Sequence, residues 1–199
     1  MAGPVTDLNS ALESLGETYL RLRAATLHLI RDLQPEDTVI QTMPDVSPTK
    51  WHLAHVTWFF ECFVLAAYRP GYRPYNERFH YLFNSYYNSA GAMHPRPRRG
   101  ELSRPTLSEI LDYRKHVDDA MTALLAAGEL PDDINDVVTL GLHHEQQHQE
   151  LLLTDIKHVL SRNPLQPAAM HHAASAQGTV PASYAFSPGE AGIASIGAS

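Results

Sequence analysis

The chain has 199 residues, of which 44% are hydrophobic and 19% are charged, and its formal net charge is −7. This composition is typical of a globular protein and excludes wholesale disorder. The negative charge disfavours nucleic-acid binding, which needs a basic face, and a single cysteine excludes a disulfide within the chain.

The first predicted helix covers residues 7–33, where apolar residues recur at intervals of three and four. This spacing places them on one face of a helix. The second predicted helix begins at Ser47 and Pro48, because serine is favoured at the N-cap and proline in the first turn. It continues to about Tyr68, and the segment 69–71, which contains proline and glycine, ends it.

A long irregular stretch, 70–104, follows the second helix and is rich in proline, glycine, arginine and aromatic residues. Loops of this length are uncommon in compact domains, and the aromatic residues favour an ordered loop. The third predicted helix opens with a capping-box pattern at 106–109 and ends at Gly128. The fourth begins near Asp132 and ends near Arg162.

Four amphipathic helices with almost no strand pattern predict an all-α helix bundle over residues 1–165. Residues 166–183 have the low-complexity composition of a linker. Residues 184–199 have a strand-and-turn pattern, so we expect the start of a truncated second domain. The sequence has no secretory-signal pattern and no apolar stretch long enough to span a bilayer, so we expect a cytoplasmic protein.

Twelve histidines are present, and histidine is the commonest metal ligand near neutral pH. His144 and His148 are four residues apart on the fourth predicted helix, which places both imidazoles on one face within its apolar stripe. The second predicted helix adds His52 and His55, and spacing does not decide which one points inward. Three histidine ligands would leave open coordination positions, as catalytic metal sites do.

Other interpretations of the histidine pair compete with this one. Two hydrogen-bonded core histidines can have the same spacing, and residues 144–148 also match the H-E-x-x-H motif of zinc proteases. A zinc protease is expected to contain a sheet, whereas this sequence predicts helices. Glu145 and Asp155 could orient ligand histidines through hydrogen bonds.

Several motifs occur along the chain in a fixed order: SPTKWHLAH at 47–55, WFFE at 58–61, FNSYY at 83–87, HPRPRRG at 94–100 and HEQQHQE at 144–150. Together they resemble the ergothioneine-biosynthesis sulfoxide synthases. The resemblance implies a DinB-like four-helix bundle, with a long ordered loop between helices 2 and 3, that binds non-haem Fe(II) through His55, His144 and His148. Residues 184–199 resemble the first strand of a formylglycine-generating-enzyme-like domain, where the family's catalytic tyrosine lies.

The resemblance further implies an oxidoreductase that uses O2 to join hercynine to a thiol such as cysteine or γ-glutamylcysteine, with the sulfur oxidised to a sulfoxide. It places Gln147 near the hercynine imidazole. The arginines of the HPRPRRG motif are candidates for binding substrate carboxylates, which arginine contacts in bidentate fashion. Tyr86 and Tyr87 could line the same pocket. The predicted substrate-contacting residues are Gln147, Tyr86, Tyr87, Arg96, Arg98 and Arg99.

Two alternative functions stay open at this point. DinB-like proteins include zinc-dependent thiol transferases, which resemble this chain in using three histidines. A metal-binding helical bundle without turnover is the other alternative. We expect neither a nucleic-acid partner nor a membrane, and the sequence does not predict the oligomeric state.

Overall fold

The computed structural model describes residues 14–85, 91–128, 130–170 and 192. The described residues form helices and no strand, which confirms the predicted helical class. The helices are α1 (Leu15–Leu29), α2 (Thr49–Phe60), α3 (Ala66–Tyr68), α4 (Phe79–Phe83), α5 (Leu107–Leu125) and α6 (Asp132–Ser161). A π-helical turn, Glu61–Leu65, joins α2 to α3, and 3-10 turns lie at Asp37–Val39 and Arg96–Glu101.

The predicted strand at 184–199 lies, apart from Gly192, outside the described residues, as does the linker beyond residue 170. The domain boundary at residue 165 therefore stays a prediction. None of the helices in the described part of the chain combines the length and the apolar character needed to cross a membrane.

Reciprocal side-chain caps begin two of the long helices. Ser14 accepts a hydrogen bond from the Glu17 backbone, and the Glu17 carboxylate accepts one from the Ser14 backbone. Thr106 and Glu109 form the same capping box at the start of α5, as the sequence predicts. Each box satisfies two backbone N–H groups that have no partner within the helix. The first box starts α1 at Leu15, later than the predicted start at residue 7.

The start of α2 differs from the prediction. Pro48 occupies the N-cap, and Ser47 lies one residue before it. The Ser47 hydroxyl instead accepts a hydrogen bond from Arg99, and the Ser47 backbone N–H donates to Asp155. Ser47 therefore connects α2 to distant parts of the chain, and it does not cap the helix.

α2 is the central helix of the domain. All of its residues are buried, and it packs against α5 and α6, while α1 packs against the same two helices. Its buried faces are largely apolar, and its buried polar side chains, among them Lys50, His52 and His55, form hydrogen bonds to other parts of the chain. The histidine-bearing segment of the sequence therefore lies inside the domain.

Gly141 marks a close approach of α6 to α2. A Cβ atom at this position would lie 2.6 Å from Cε1 of Phe60 and 2.8 Å from Cε1 of Phe59. Both phenylalanine side chains are buried in the core, so neither ring can move aside without disturbing its neighbours. Glycine is therefore required here by packing.

Gly141→Ala is expected to lower the free energy of unfolding by about 1–2 kcal/mol, because overpacking outweighs the better helix propensity of alanine. Urea unfolding followed by circular dichroism measures the change. Leu140→Ala is the matched control on the same helix, because Leu140 is 59% exposed, and it should change stability by less than about 0.5 kcal/mol. A Gly141→Ala protein as stable as the wild type would show that α2 and α6 can separate at no cost.

A buried network of polar side chains ties α6 to its neighbours. The Glu145 carboxylate is fully buried and accepts hydrogen bonds from Arg23 at 3.0 Å, from Arg114 at 2.7 Å and from Thr26 at 2.6 Å. Arg23 also donates to the Thr57 hydroxyl of α2 at 3.0 Å. Because Arg23 and Thr26 lie on α1, Arg114 on α5 and Thr57 on α2, the network links all four long helices.

Candidate metal centre

Three histidines lie together between α2 and α6. His55 comes from α2, and His144 and His148 come from successive turns of α6. One ligand atom from each lies within 4.8 Å of the other two, so a single metal ion could contact all three. The ring centroids are 4.9 Å apart for His55 and His144, 4.7 Å for His55 and His148, and 4.6 Å for His144 and His148.

Aromatic stacking holds the His55 ring. The Trp51 ring lies 4.6 Å from it at an interplanar angle of 13°, and the Trp58 ring lies 5.6 Å from it at 15°. Trp51 and Trp58 are four residues before and three residues after His55 on the same helix, so the helical repeat itself places them beside it. The α2 sequence therefore orients its own candidate ligand.

A hydrogen bond selects which His55 nitrogen faces the cluster. Nδ1 of His55 lies 2.6 Å from the backbone carbonyl oxygen of Phe83. A carbonyl can only accept, so Nδ1 carries the proton and donates it. In the neutral ring, the lone pair then lies on Nε2, the atom available to a metal ion.

Helical spacing does not decide whether His52 or His55 joins the histidine cluster, but the structure does. Both His52 and His55 are buried, yet only His55 belongs to the three-histidine group found among the described residues. His52 instead places Nδ1 2.9 Å from Nδ1 of His148 and Nε2 2.9 Å from a carboxylate oxygen of Asp155. It therefore contacts a candidate ligand without being one of the three.

The electrostatic environment keeps the three imidazoles neutral. Burial lowers the pKa of His55 well below its usual range, and the nearby His144 lowers it further. Burial lowers the pKa of His144 to about 4, although Glu145 opposes this shift. Burial also lowers the pKa of His148, and the neighbouring imidazoles of His55 and His52 lower it further, because two adjacent rings resist being protonated together. Neutral imidazole is the form that binds metal ions, so this donor set fits a metal near pH 7.

The cluster lines a cavity of about 490 Å³, which is the size of a small-molecule site. Polar groups also line it, among them Arg96, Arg99 and Gln147. The Arg99 guanidinium lies 3.3 Å from the centre of the Trp51 ring and donates hydrogen bonds to the hydroxyls of Ser47 and Ser85. The cavity therefore combines three imidazoles with cationic side chains.

Residues 18–152 match the family model of the DinB superfamily, and this segment contains all three clustered histidines. The chain belongs to the DinB superfamily. A search among curated proteins finds no match to it. DinB domains are often enzymes or metal-binding domains, which agrees with the histidine cluster.

Some of the other predicted site residues of this DinB domain line the cavity, and one of them does not. Gln147, Arg96 and Arg99 line the cavity beside the histidines. The Arg98 side chain is 62% exposed and forms an ion pair with Glu101 at 2.8 Å, and it is not among the residues that line the cavity in the described structure. The other two candidates, Tyr86 and Tyr87, lie outside the described residues.

Glu145 does not orient the histidines of this DinB domain. Both of its carboxylate oxygens are bonded to Arg23, Arg114 and Thr26, in the network that ties the helices together. The described residues also contain no sheet, so the zinc-protease interpretation of the H-E-x-x-H motif has no structural support. Asp155 does contact a histidine, but it reaches His52 and not one of the three clustered residues.

The sequence pattern predicts no role for His52 and places Ser47 at the helix cap. One signal was available for Asp155, which lies seven residues after His148 and therefore two turns along the same face of α6. No local pattern joins His52 to Asp155, because 103 residues separate them.

Proposed function

We propose that this DinB domain binds one Fe(II) ion through His55, His144 and His148 and serves an O2-dependent sulfoxide synthase of ergothioneine biosynthesis. The observation that carries the proposal is a cluster of three neutral imidazoles, one buried and two half-buried, in a cavity that Arg96 and Arg99 also line. In this proposal α1, α2, α5 and α6 form the DinB-like four-helix bundle, and residues 184–199 begin a formylglycine-generating-enzyme-like domain.

The proposed reaction joins an imidazole carbon of hercynine to the sulfur of a thiol such as cysteine or γ-glutamylcysteine. The hercynine C–H bond and the thiol S–H bond break, a C–S bond forms, and the sulfur is oxidised to a sulfoxide. One molecule of O2 accepts four electrons, with one oxygen atom entering the sulfoxide and the other leaving as water. Fe(II), when bound, supplies the redox chemistry and the open positions for thiolate and O2.

The residues of the cavity divide the remaining tasks. The three imidazoles contribute no negative charge, so a bound divalent ion keeps its charge and favours a thiolate over a thiol. Both substrates carry carboxylates, and the guanidinium group of Arg96 suits such a group because arginine binds carboxylates in bidentate fashion. Arg99, whose terminal nitrogens donate to Ser47 and Ser85, adds positive charge to the same cavity. Gln147 offers an amide that can bond to the hercynine imidazole.

Zinc-dependent thiol transfer is the competing function, because three histidines also suit Zn(II). Two features favour the sulfoxide synthase. The ordered motifs of the sequence resemble that family over several segments, and two of the arginines of the HPRPRRG motif line the same cavity as the histidines. Metal affinity does not distinguish the two functions well, since the intrinsic affinity of such sites often favours zinc over iron. The reaction that the loaded protein catalyses distinguishes them better.

The test is to load the chain with Fe(II) anaerobically, add hercynine with cysteine or γ-glutamylcysteine, and admit O2. We expect calorimetric binding of hercynine to the loaded protein. Because the family's catalytic tyrosine lies in the second domain, we expect O2 consumption and a product with the mass of the sulfoxide when that domain of a family member is supplied. Arg96→Gln should raise the KM for a substrate at least about tenfold, through loss of a charged hydrogen bond. Arg98→Gln is the matched control, because Arg98 is exposed and paired with Glu101.

Two results would contradict the proposal. One is a loaded protein that neither forms the product nor binds hercynine. The other is a Zn(II)-loaded protein that transfers a thiol to an electrophile without consuming O2, which would establish the thiol transferase instead.

A further inference from the structure

A chain of hydrogen bonds runs from Asp155 through His52 to the Nδ1 atom of His148. One Asp155 carboxylate oxygen accepts from the Ser47 backbone N–H at 2.8 Å and lies 2.9 Å from Nε2 of His52. Nδ1 of His52 lies 2.9 Å from Nδ1 of His148. The Asp155 side chain is 13% exposed and that of His52 is 4% exposed, so water competes little for these bonds.

The chemistry of each group determines where the protons lie. A carboxylate only accepts, so Nε2 of His52 carries a proton that it donates to Asp155. In neutral His52, the other ring nitrogen, Nδ1, then holds a lone pair. The contact between the two Nδ1 atoms needs one proton, and it must come from His148. The lone pair of His148 therefore lies on Nε2.

We infer that His52, held by Asp155, is a positioning residue that accepts the Nδ1–H of His148 and so presents the Nε2 lone pair of His148 to a metal ion. This inference rests on the proposed metal site, but the proton position it assigns exists without a metal. Outer partners of this kind fix both the tautomer and the ring orientation of a ligand histidine. The same hydrogen bonds also connect the start of α2 to α6, through Ser47.

The first measurement is the tautomer of His148 in the metal-free, 15N-labelled protein, read from two-bond 15N–1H correlations. We expect the Nδ1–H form in the wild type and a loss of that form in His52→Ala. His52→Gln should recover it, because the glutamine side-chain oxygen can accept the same proton. A wild-type His148 protonated on Nε2 would overturn the inference, as would an unchanged Nδ1–H form in His52→Ala.

The second measurement is metal affinity, determined with Zn(II) and with Fe(II) against a competing chelator. His52→Ala should weaken binding about 10- to 100-fold while one ion per chain is still reached at saturation, and His52→Gln should recover most of the affinity. His143→Ala is the control, because His143 is exposed and bonds to Gln146 on its own helix. Affinity in His52→Ala within twofold of the wild type would overturn the inference.

The two measurements separate this inference from the proposed function. Suppose that the wild type binds no metal but that His52→Ala loses the Nδ1–H form of His148. This result would contradict the metal site and support the hydrogen bond from His148 to His52. If His52→Ala does not fold, as judged by circular dichroism, Asp155→Asn and His52→Gln provide the same tautomer comparison. In Asp155→Asn, we expect a mixture of both His148 tautomers, because the amide can donate as well as accept.

Discussion

Replacing His144 with alanine is expected to abolish stoichiometric metal binding, with affinity at least about 100-fold weaker than in the wild type. Loss of a direct ligand exceeds the 10- to 100-fold effect of losing an outer partner. The two remaining histidines, His55 and His148, cannot hold an ion with the strength of three ligands. His55→Ala and His148→Ala should give the same result. Metal analysis after anaerobic loading and dialysis measures the stoichiometry.

His143→Ala is the matched control for this experiment, since it removes an exposed imidazole one residue away on the same helix. It should keep one ion per chain. A thermal scan gives a second measurement, because a metal that binds only the folded state raises the midpoint of the wild type and not of His144→Ala. A folded His144→Ala protein that still binds one ion per chain would contradict the three-histidine site.

Glu145→Gln is expected to lower the free energy of unfolding by about 3–5 kcal/mol, which is a large fraction of the stability of a typical domain. The substitution keeps the volume of the side chain, so the effect comes from charge and not from a cavity. It leaves the guanidinium groups of Arg23 and Arg114 buried without the carboxylate that both contact. Urea unfolding at pH 7 measures the loss.

Asp119→Asn is the control, because it neutralises a carboxylate whose ion pair with Lys115 is exposed on α5. Exposed pairs of this spacing contribute about 0.3–0.5 kcal/mol, so the change should be that small. Equal effects of Glu145→Gln and Asp119→Asn would show that the buried network does not stabilise the fold.

The pH dependence of stability provides an independent measure of the same network. Although burial opposes the charge, Arg23 and Arg114 lower the pKa of Glu145 to about 2, from an ordinary value of 4.5. The stabilisation by Glu145 is therefore complete above about pH 4.5 and disappears as the pH falls toward 2. Glu145→Gln should lack this part of the acid-induced loss, which unfolding curves between pH 5 and pH 2.5 would reveal.

Several features of this protein follow from local sequence alone. The capping box at Thr106 and the bounds of α6 depend on residues within a few positions of each other, and both were predicted correctly. The placement of His144 and His148 on one face is a consequence of the helical period. The family also follows from sequence, because residues 18–152 match the DinB superfamily directly.

Only the tertiary structure assigns roles to His52, Ser47 and Glu145. Each makes its decisive contact with a residue far away in the chain: His52 is 103 positions from Asp155, and Glu145 is 122 positions from Arg23. Local patterns describe which side of a helix a residue occupies, and they contain no information about which other helix faces that side. Packing of α1, α2, α5 and α6 brings those partners together, and so it decides which buried polar groups support the fold and which surround the candidate metal site.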